Sequence, residues 1–390
     1  MRLLHTADWQ LGRRYGQFDS EPAAILADAR FSTISSINQL AQEQSVDVIL
    51  VAGDVFDSNQ LSDADILRGF SMICESPCPI VLLPGNHDAD SAGSVWERIV
   101  QGRKIPPHVH IIRADKSDAL VLHDGAIAVL SAPLRQVRAD IDHLSLFASQ
   151  RAAQALASDC IVIGLAHGSV QGKLPPGAEV NNPIAADLAN LAQLDYLALG
   201  DWHGYLEIDS KTCYSGTPEP DRFRNNSKGQ VLLVDVQAGA SLQISPVNVA
   251  QFDWLELPLT ASASDSAASL MAAISESISA QIGTNAPEKL RQLVLRLKLS
   301  GTLSLPARIA FERELDALQA SIRLLSYREN ALRTALDPGS FAELILQFTD
   351  ASYVQNVARS LFDELADPDA AFVIRASDAL IYLHQLSQKT

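Results

Sequence analysis

Short apolar runs that end in polar turns are the most regular feature of the first half of the chain. Residues 3–7, 46–52 and 79–84 are such runs, and each reads as a buried strand. Between them, residues 22–44 and 62–75 repeat apolar positions at helical spacing. Strands that alternate with helices at this spacing pair in parallel through right-handed crossovers.

The same pattern continues further along the chain with less regularity. Residues 160–166 and 195–199 are the clearest later strands, and helices are predicted near 142–157 and 183–192. Shorter strands are predicted at 109–112, 119–122, 126–131, 211–214, 230–236 and 242–247. The alternation predicts an α/β fold, a two-sheet sandwich flanked by helices with its polar turns along one rim.

The pattern changes character after Phe252. A linker at 258–265, a helix at 266–282, an alternating strand at 290–300 and a helix at 305–320 predict a smaller α+β cap. Residues 338–388 are mostly helical in pattern. We therefore predict three domains, a main one at 1–250, the cap at 251–335 and a helical, partner-binding segment at 336–390.

Composition narrows the class of protein. With 390 residues, of which 47% are hydrophobic, the chain has ample material for a large core. Its first residues enter a strand pattern without a signal peptide, and no apolar stretch approaches the roughly 20 residues of a membrane span, so we expect a cytoplasmic protein with no membrane contact. The four cysteines have neither zinc-site nor redox spacing and are expected to be reduced thiols.

The formal net charge of −16 limits nucleic-acid binding. Nonspecific affinity for DNA comes from phosphates neutralised by Lys and Arg. The charge therefore argues against a general role in coating DNA, and any DNA contact must be local, aided by bound cations or shared with a partner.

Metal-ligand residue types follow five of the apolar runs. They are Asp8 with Gln10, Asp54, Asn86 with His87, His167, and Asp201 with His203. One such residue at a strand end is usually a turn or cap residue. Five such turns in chain order indicate a shared site, and oxygen ligands mixed with imidazole suit Mn²⁺, Fe²⁺ or Zn²⁺ in a two-metal hydrolytic centre.

Three strings carry a family resemblance. They are His5-Thr-Ala-Asp-Trp-Gln-Leu-Gly12, Gly53-Asp-Val-Phe-Asp57 and Gly85-Asn-His-Asp88. They resemble the calcineurin-like metallophosphoesterases, and the first two are similar to the SbcD-type DNA nucleases, bacterial counterparts of the eukaryotic double-strand-break nuclease. The resemblance is good over about residues 1–235 and weakens beyond them.

The resemblance implies a role for each residue that matches it. Asp8 would bind the first metal ion and Asp54 would bridge both ions. Asn86 and His167 would bind the second ion, His203 would bind the first, and His87 would stand beside the scissile phosphate as an acid or a charge stabiliser. The implied catalytic residues are therefore His87 and Asp54.

Two positions depart from the family pattern. Gln10 stands where the family commonly has His, and Asp201 stands where the last motif commonly reads Gly-His-x-His. Both residue types still ligate through oxygen, so we expect both to be metal ligands and the site to favour two Mn²⁺ ions.

Further polar and aromatic residues lie close to these positions. Asp57 and Asp88 are predicted to be turn residues or supports for the ligands. Trp9 and Trp202 either pack beneath the metal site or stack on bases. Arg222, Arg224 and Lys228 form a basic cluster that is either a solvated loop or a phosphate contact.

Three functions remain open from the sequence. The leading one is a metal-dependent DNA exonuclease or endonuclease in DNA repair, in which the residues after Phe252 orient the DNA. The resemblance implies an SMC-like ATPase partner of the SbcC type, bound through the C-terminal helices, and homodimerisation is possible. The alternatives are a small-molecule phosphodiesterase or nucleotidase on the same fold, and an inactive scaffold protein.

Overall fold

The computed structural model describes residues 1–115, 118–154, 156–224, 228–238, 241–283, 286–335, 352–364 and 379. It divides into two compact units, Met1–Asp253 and Trp254–Thr390. The predicted three-domain division stays a prediction, because residues 336–351, 365–378 and 380–390 of the third domain lie outside the described residues.

The first sheet of the first unit has the strand order β12-β11-β1-β2-β3-β4. Its strands are β1 (Arg2–Thr6), β2 (Val48–Val51), β3 (Ile80–Leu82), β4 (Val109–Ile111), β11 (Gln230–Asp235) and β12 (Gln243–Asn248). The strands β1 to β4 pair in parallel, as the strand and helix alternation predicts. β11 then adds to β1 in antiparallel fashion, and β12 adds to β11 in the same way.

The second sheet has the strand order β5-β6-β7-β8-β10-β9. Its strands are β5 (Leu120–Leu122), β6 (Ile127–Ala132), β7 (Ile161–His167), β8 (Tyr196–Gly200), β9 (Leu206–Asp209) and β10 (Thr212–Tyr214). The four strands β6, β7, β8 and β10 pair in parallel. The two edge strands, β5 and β9, are antiparallel to their neighbours.

The two sheets pack face to face with helices outside, which confirms the predicted α/β sandwich. Val48 and Leu50 of the first sheet share one buried cluster with Ile163 and Leu165 of the second. The outer face of the first sheet packs on α1 (Ser20–Glu43), α2 (Asp63–Ile73) and α3 (Val95–Gly102). The outer face of the second packs on α4 (His143–Ala153) and α5 (Leu188–Leu191).

The second unit is a smaller α+β structure. Its sheet has the order β13-β14-β15, and β14 pairs in parallel with β15. The elements are β13 (Asp253–Ala261), α6 (Ala267–Ile282), α7 (Pro287–Leu290), β14 (Leu293–Ser304), α8 (Leu305–Ser321), β15 (Leu324–Ala335) and α9 (Ser352–Glu364). The predicted linker at 258–265 is wrong at its start, because Pro258 and Leu259 belong to β13.

One helix prediction is also wrong. The helix predicted at 183–192 shrinks to the single turn of α5. Ile184 forms a parallel bridge with Val170, and a helix therefore does not begin at the start of this segment.

Two further features concern membrane-spanning helices and the cysteines. Within the described residues, no helix is both long enough and apolar enough to span a bilayer. All four cysteines are free, with Cys160 and Cys213 buried.

Candidate metal centre

The carboxyl ends of strands from both sheets meet at one rim. Asp8 and Asp54 follow β1 and β2 of the first sheet, while His167 ends β7 of the second. Backbone bonds hold the turns of the first sheet together, since the Asp8 amide donates to the Gly53 carbonyl at 3.0 Å and the Gln10 amide to the Asp54 carbonyl at 2.8 Å. Two separate sheets thus contribute to one cluster of side chains.

Two glycines permit this close approach. Gly53 has a left-handed φ of +93°, and a Cβ there would stand 2.1 Å from His167 Nδ1. A Cβ at Gly85 would stand 2.2 Å from Asp54 Oδ1. Any larger residue at either position would displace a side chain of the site.

Asp54, Asn86 and His167 form one half of the site. His167 Nδ1 faces the Ala52 carbonyl at 2.8 Å, which directs Nε2 into the site. There Nε2 lies 2.8 Å from Asn86 Oδ1 and 3.5 Å from Asp54 Oδ1. Burial lowers the pKa of His167, but the nearby carboxylates, led by Asp54 and followed by Asp8, outweigh it and raise that pKa to about 9.

Asp8, Gln10 and His203 form the other half, and the Asp201 carboxylate lies nearer the first half, 3.9 Å from His167 Nε2. The fully buried Asp8 carboxylate accepts a hydrogen bond from the Asp201 amide at 3.1 Å. Burial raises the pKa of Asp8 to about 6, against the lowering effect of His203. Burial raises the pKa of Asp201 as well. Gln10 Nε2 lies 3.4 Å from His203 Nε2.

A buried carboxylate, Asp221, supports His203. His203 Nδ1 lies 3.2 Å from Asp221 Oδ1 and 2.7 Å from an Arg222 nitrogen, and these two neighbours require opposite tautomers. Arg222 is half exposed and also donates to the Asp221 carboxylate, at 3.0 Å. The buried charge is the stronger partner of Nδ1, and His203 Nε2 is therefore the nitrogen left to bind a metal ion.

The charge of Asp221 is stabilised although the residue is buried. Burial alone would raise the pKa of Asp221, but His203, Arg30 and Arg222 hold it well below its ordinary value. The carboxylate is therefore ionised and orients the ring of His203.

His87 stands at the more open side of the site. Its Nδ1 faces the Asp57 carbonyl at 2.9 Å, and its Nε2 lies 3.9 Å from Asp54 Oδ2. Its side chain is 39% exposed, in contrast to the ligand candidates beneath it. Burial lowers the pKa of His87, but Asp54 and Asp57 outweigh it and raise that pKa above its ordinary value.

The donor set fits divalent metal ions. Ligand atoms of Asp8, Asp54 and His167 all lie within 4.8 Å of one another. Burial, and to a smaller extent the neighbouring carboxylates Asp54 and Asp201, raise the pKa of Asp8, and a dication among these groups would offset both effects. Carboxylate, amide and imidazole donors together suit Mn²⁺, Fe²⁺ or Zn²⁺.

Asp88, Trp9 and Trp202 are neighbours of the proposed ligands in the sequence, and the structure shows the contacts of each. The Asp88 carboxylate is fully buried and accepts from the backbone amides of Gly85 and Phe56, as expected of a turn residue. Trp9 is buried in the helix-covered core and donates to Thr6 Oγ1 at 2.8 Å. Trp202 packs against the core beside α4 and α5. Packing, and not base stacking, therefore accounts for Trp9.

The residues of the basic cluster, Arg222, Arg224 and Lys228, differ in their surroundings. Arg222 joins the site through its contacts with Asp221 and His203. Arg224 and Lys228 are exposed, and residues 225–227 between them lie outside the described residues.

Three supporting residues escape sequence reasoning, namely Arg13, Arg30 and Asp221. Arg30 is buried on α1 and donates to the Trp9 carbonyl at 2.7 Å and to Tyr15 Oη at 2.8 Å. A charged residue on the buried face of an amphipathic helix is the one signal that points to Arg30. Asp221 lies in the same loop as Arg222 and Arg224, and the loop was therefore interpreted as a basic cluster.

Comparisons with known proteins agree with this geometry. A family model described as calcineurin-like phosphoesterase matches residues 1–205. The chain is 25% identical over 254 residues to the DNA double-strand break repair protein Mre11 of Methanosarcina acetivorans, covering 63% of this chain and 38% of that protein. It is 28% identical over 298 residues to the SbcD component of the nuclease SbcCD of Rhodobacter capsulatus, covering 63% of this chain and 69% of that protein.

A third relative has no assigned substrate in its name. The uncharacterized metallophosphoesterase YhaO of Bacillus subtilis is 26% identical over 251 residues, covering 61% of this chain and 58% of that protein. The chain thus spans less than two thirds of the length of two of these three relatives.

Proposed function

The chain belongs to the calcineurin-like phosphoesterase family, and on that premise we propose that it is a metal-dependent DNA nuclease component that hydrolyses phosphodiester bonds. The observation that carries the proposal is the buried cluster of Asp8, Asp54 and His167, whose ligand atoms lie within 4.8 Å of one another. The choice of DNA as substrate is supported by relatives named as a nuclease component and as a DNA repair protein.

The residues divide between two divalent ions, which we propose are Mn²⁺. Those for the first ion would be Asp8, Gln10 and His203, those for the second would be Asn86, His167 and Asp201, whose carboxylate lies 3.9 Å from His167 Nε2, and Asp54 would serve both. When bound, two such cations would supply positive charge to a phosphodiester and lower the pKa of a nearby water molecule. The chain itself fixes the donors, through the Ala52 carbonyl behind His167 and the Asp221 carboxylate behind His203.

His87 has the properties of the acid for the leaving oxygen. Its Nδ1 is held by the Asp57 carbonyl, its side chain is accessible, and its pKa is raised by Asp54 despite burial. A raised pKa favours the protonated imidazole, which is the form that can donate a proton as the phosphodiester bond breaks.

Partners follow from the relatives and not from a contact in this chain. We propose a cytoplasmic assembly with an SMC-like ATPase of the SbcC type, bound through C-terminal helices, of which α9 is described. The net charge of −16 requires DNA contacts that are local or shared with this partner. Homodimerisation and a DNA-orienting role of the second unit belong to the same proposal.

The test combines metal content with substrate choice. Purified protein with Mn²⁺ is offered single-stranded DNA, double-stranded DNA and bis(4-nitrophenyl) phosphate, alongside Asp54→Ala. We expect cleavage of DNA by the wild type, and we expect the variant to lose both activity and bound metal, because Asp54 serves both ions.

Other outcomes would contradict the proposal. Hydrolysis of the small diester without DNA cleavage would identify a small-molecule phosphodiesterase. Bound metal without hydrolysis of either substrate would identify a scaffold protein. Full metal occupancy in Asp54→Ala would show that Asp54 does not bridge the ions.

A further inference from the structure

Arg13 reaches into the rim of the site from the turn after β1. Its guanidinium donates to Gln10 Oε1 at 2.5 Å and pairs with the buried Asp221 carboxylate at 3.0 Å. A third oxygen, Asp57 Oδ1, lies 3.6 Å away. Arg13 thus lies against Gln10, against Asp221, which supports His203, and near Asp57, whose carbonyl faces His87.

These contacts fix the orientation of the Gln10 amide. Arginine only donates hydrogen bonds, so the atom of Gln10 that faces it is the carbonyl oxygen. That oxygen is the atom through which Gln10 would bind a metal ion, whereas the Gln10 atom that lies beside His203 Nε2 is the amide nitrogen, at 3.4 Å. The guanidinium therefore holds the Gln10 oxygen in the resting site and places a positive charge beside it.

The same guanidinium is suited to bind phosphate. Its side chain is 26% exposed, whereas that of Asp221 is fully buried, so the pair has an anchored side and an open side. A phosphate oxygen is a stronger acceptor than a neutral amide, and the planar fork of arginine matches two phosphate oxygens. When substrate binds, Arg13 would exchange its contact with Gln10 for a contact with phosphate and would keep its contact with Asp221.

We propose that Arg13 is a substrate-binding residue, which takes a non-bridging oxygen of the phosphodiester in place of the Gln10 carbonyl. The inference rests on the proposed phosphodiester chemistry and deepens it. It assigns Gln10 a second role, as the resting partner of Arg13. It also gives Gln10 a function at a position where a histidine could not offer the same neutral carbonyl acceptor.

The test compares Arg13→Met with the matched control Arg14→Met. Both variants remove one positive charge from the same turn, but Arg14 is exposed. For Arg13→Met we expect KM for bis(4-nitrophenyl) phosphate to rise roughly 10-fold to 100-fold, the scale of one lost charged hydrogen bond. Arg14→Met should leave KM unchanged.

A second readout separates substrate binding from a structural role. Calorimetric titration with Mn²⁺ alone should show equal or tighter binding in Arg13→Met, because a cation beside the first ion is gone. A merely structural arginine would weaken Mn²⁺ binding and substrate binding together. Arg13→Lys keeps the charge but loses the fork, and we expect its KM to lie between those of Arg13→Met and the wild type.

These measurements distinguish an error in the role of Arg13 from an error in the proposed function. If the wild type hydrolyses the diester and Arg13→Met keeps its KM, or loses Mn²⁺ affinity as well, the role of Arg13 is overturned and the function stands. If the wild type hydrolyses nothing, the function fails, and the affinity for inorganic phosphate with Mn²⁺ present decides the role of Arg13. Equal phosphate affinity in both variants would then overturn it.

Discussion

At the scale of single residues, the proposed ligands occupy backbone conformations that their residue types rarely adopt. Asp8, Gln10, Asp54 and Asp201 have φ values of 54°, 44°, 52° and 102°. Residues other than glycine seldom adopt positive φ, and such strain concentrates at functional sites. Here it turns four side chains inward immediately after straight strands, which no pattern of apolar residues reveals.

His87 is the residue whose loss should separate catalysis from metal binding. We expect His87→Ala to retain its metal content, because the donors beneath it are held by other groups. Its rate of phosphodiester hydrolysis should fall about 10²-fold or more, the usual scale for a positioned acid. Metal analysis and initial rates on the same sample decide this, and loss of metal would identify His87 as a ligand.

Sequence reasoning identified the donors more readily than their supports. An apolar run followed by Asp, Asn or His marks a strand end, and five such turns in chain order identified Asp54 and His167 as members of one set. Asp221 could not, because its role depends on a contact with His203 formed by folding. The orientation of the Gln10 amide likewise depends on Arg13, three residues along a turn whose geometry the sequence does not specify.

At the scale of elements, the parallel strands could be predicted because their runs are fully buried. β13 was not predicted, and its last residues, from Pro258, were assigned to a linker because a proline followed by serines resembles one. α3 was missed because it has only 8 residues, too few to establish a helical period. Tertiary contacts thus account for these two errors.

The helix α1 carries a charge that stabilises the metal-site loop. Arg30 is buried and donates to the Trp9 carbonyl and to the Glu219 carbonyl, at 2.7 Å and 3.2 Å. It therefore links the loop after β1 to the loop that precedes Asp221. We expect Arg30→Met to lower the free energy of unfolding by about 3 kcal/mol, the scale of a broken buried charge network.

The control for Arg30→Met is Arg68→Met on α2. Arg68 is 47% exposed, pairs with Asp28 and lies over the ring of Phe31. Its loss should cost less than about 1 kcal/mol. Urea unfolding of both variants measures the difference, and equal losses would show that the burial of Arg30 has no special effect.

At the scale of the whole molecule, two sheets must be packed together before the site exists. Asp54 comes from the first sheet and His167 from the second, and they lie 3.5 Å apart. Charges concentrated between the sheets therefore act directly on the stability of the first unit. This coupling gives the metal-free protein a characteristic dependence on pH.

The sign of that dependence follows from His167. Its pKa is raised from 6.5 to about 9, so the folded state holds a proton that the unfolded chain releases. The stabilisation is complete below about pH 6.5 and is lost as the pH rises through about 9. The pKa values of Asp8 and Asp88 are also raised, to about 6 and about 7. They likewise make the folded state less stable as the pH rises, but this effect is complete by about pH 7.

We therefore expect the metal-free protein to lose up to about 3 kcal/mol of unfolding free energy between about pH 7 and pH 9. Urea unfolding in EDTA measures it. His167→Gln should flatten the curve, whereas His5→Gln should keep its slope, because burial lowers the pKa of His5 to about 3 and it stays neutral throughout. Saturating Mn²⁺ should also flatten the curve, since a metal-binding imidazole must be unprotonated. A wild-type curve that is already flat in EDTA would show that the carboxylates between the sheets do not hold a proton on His167.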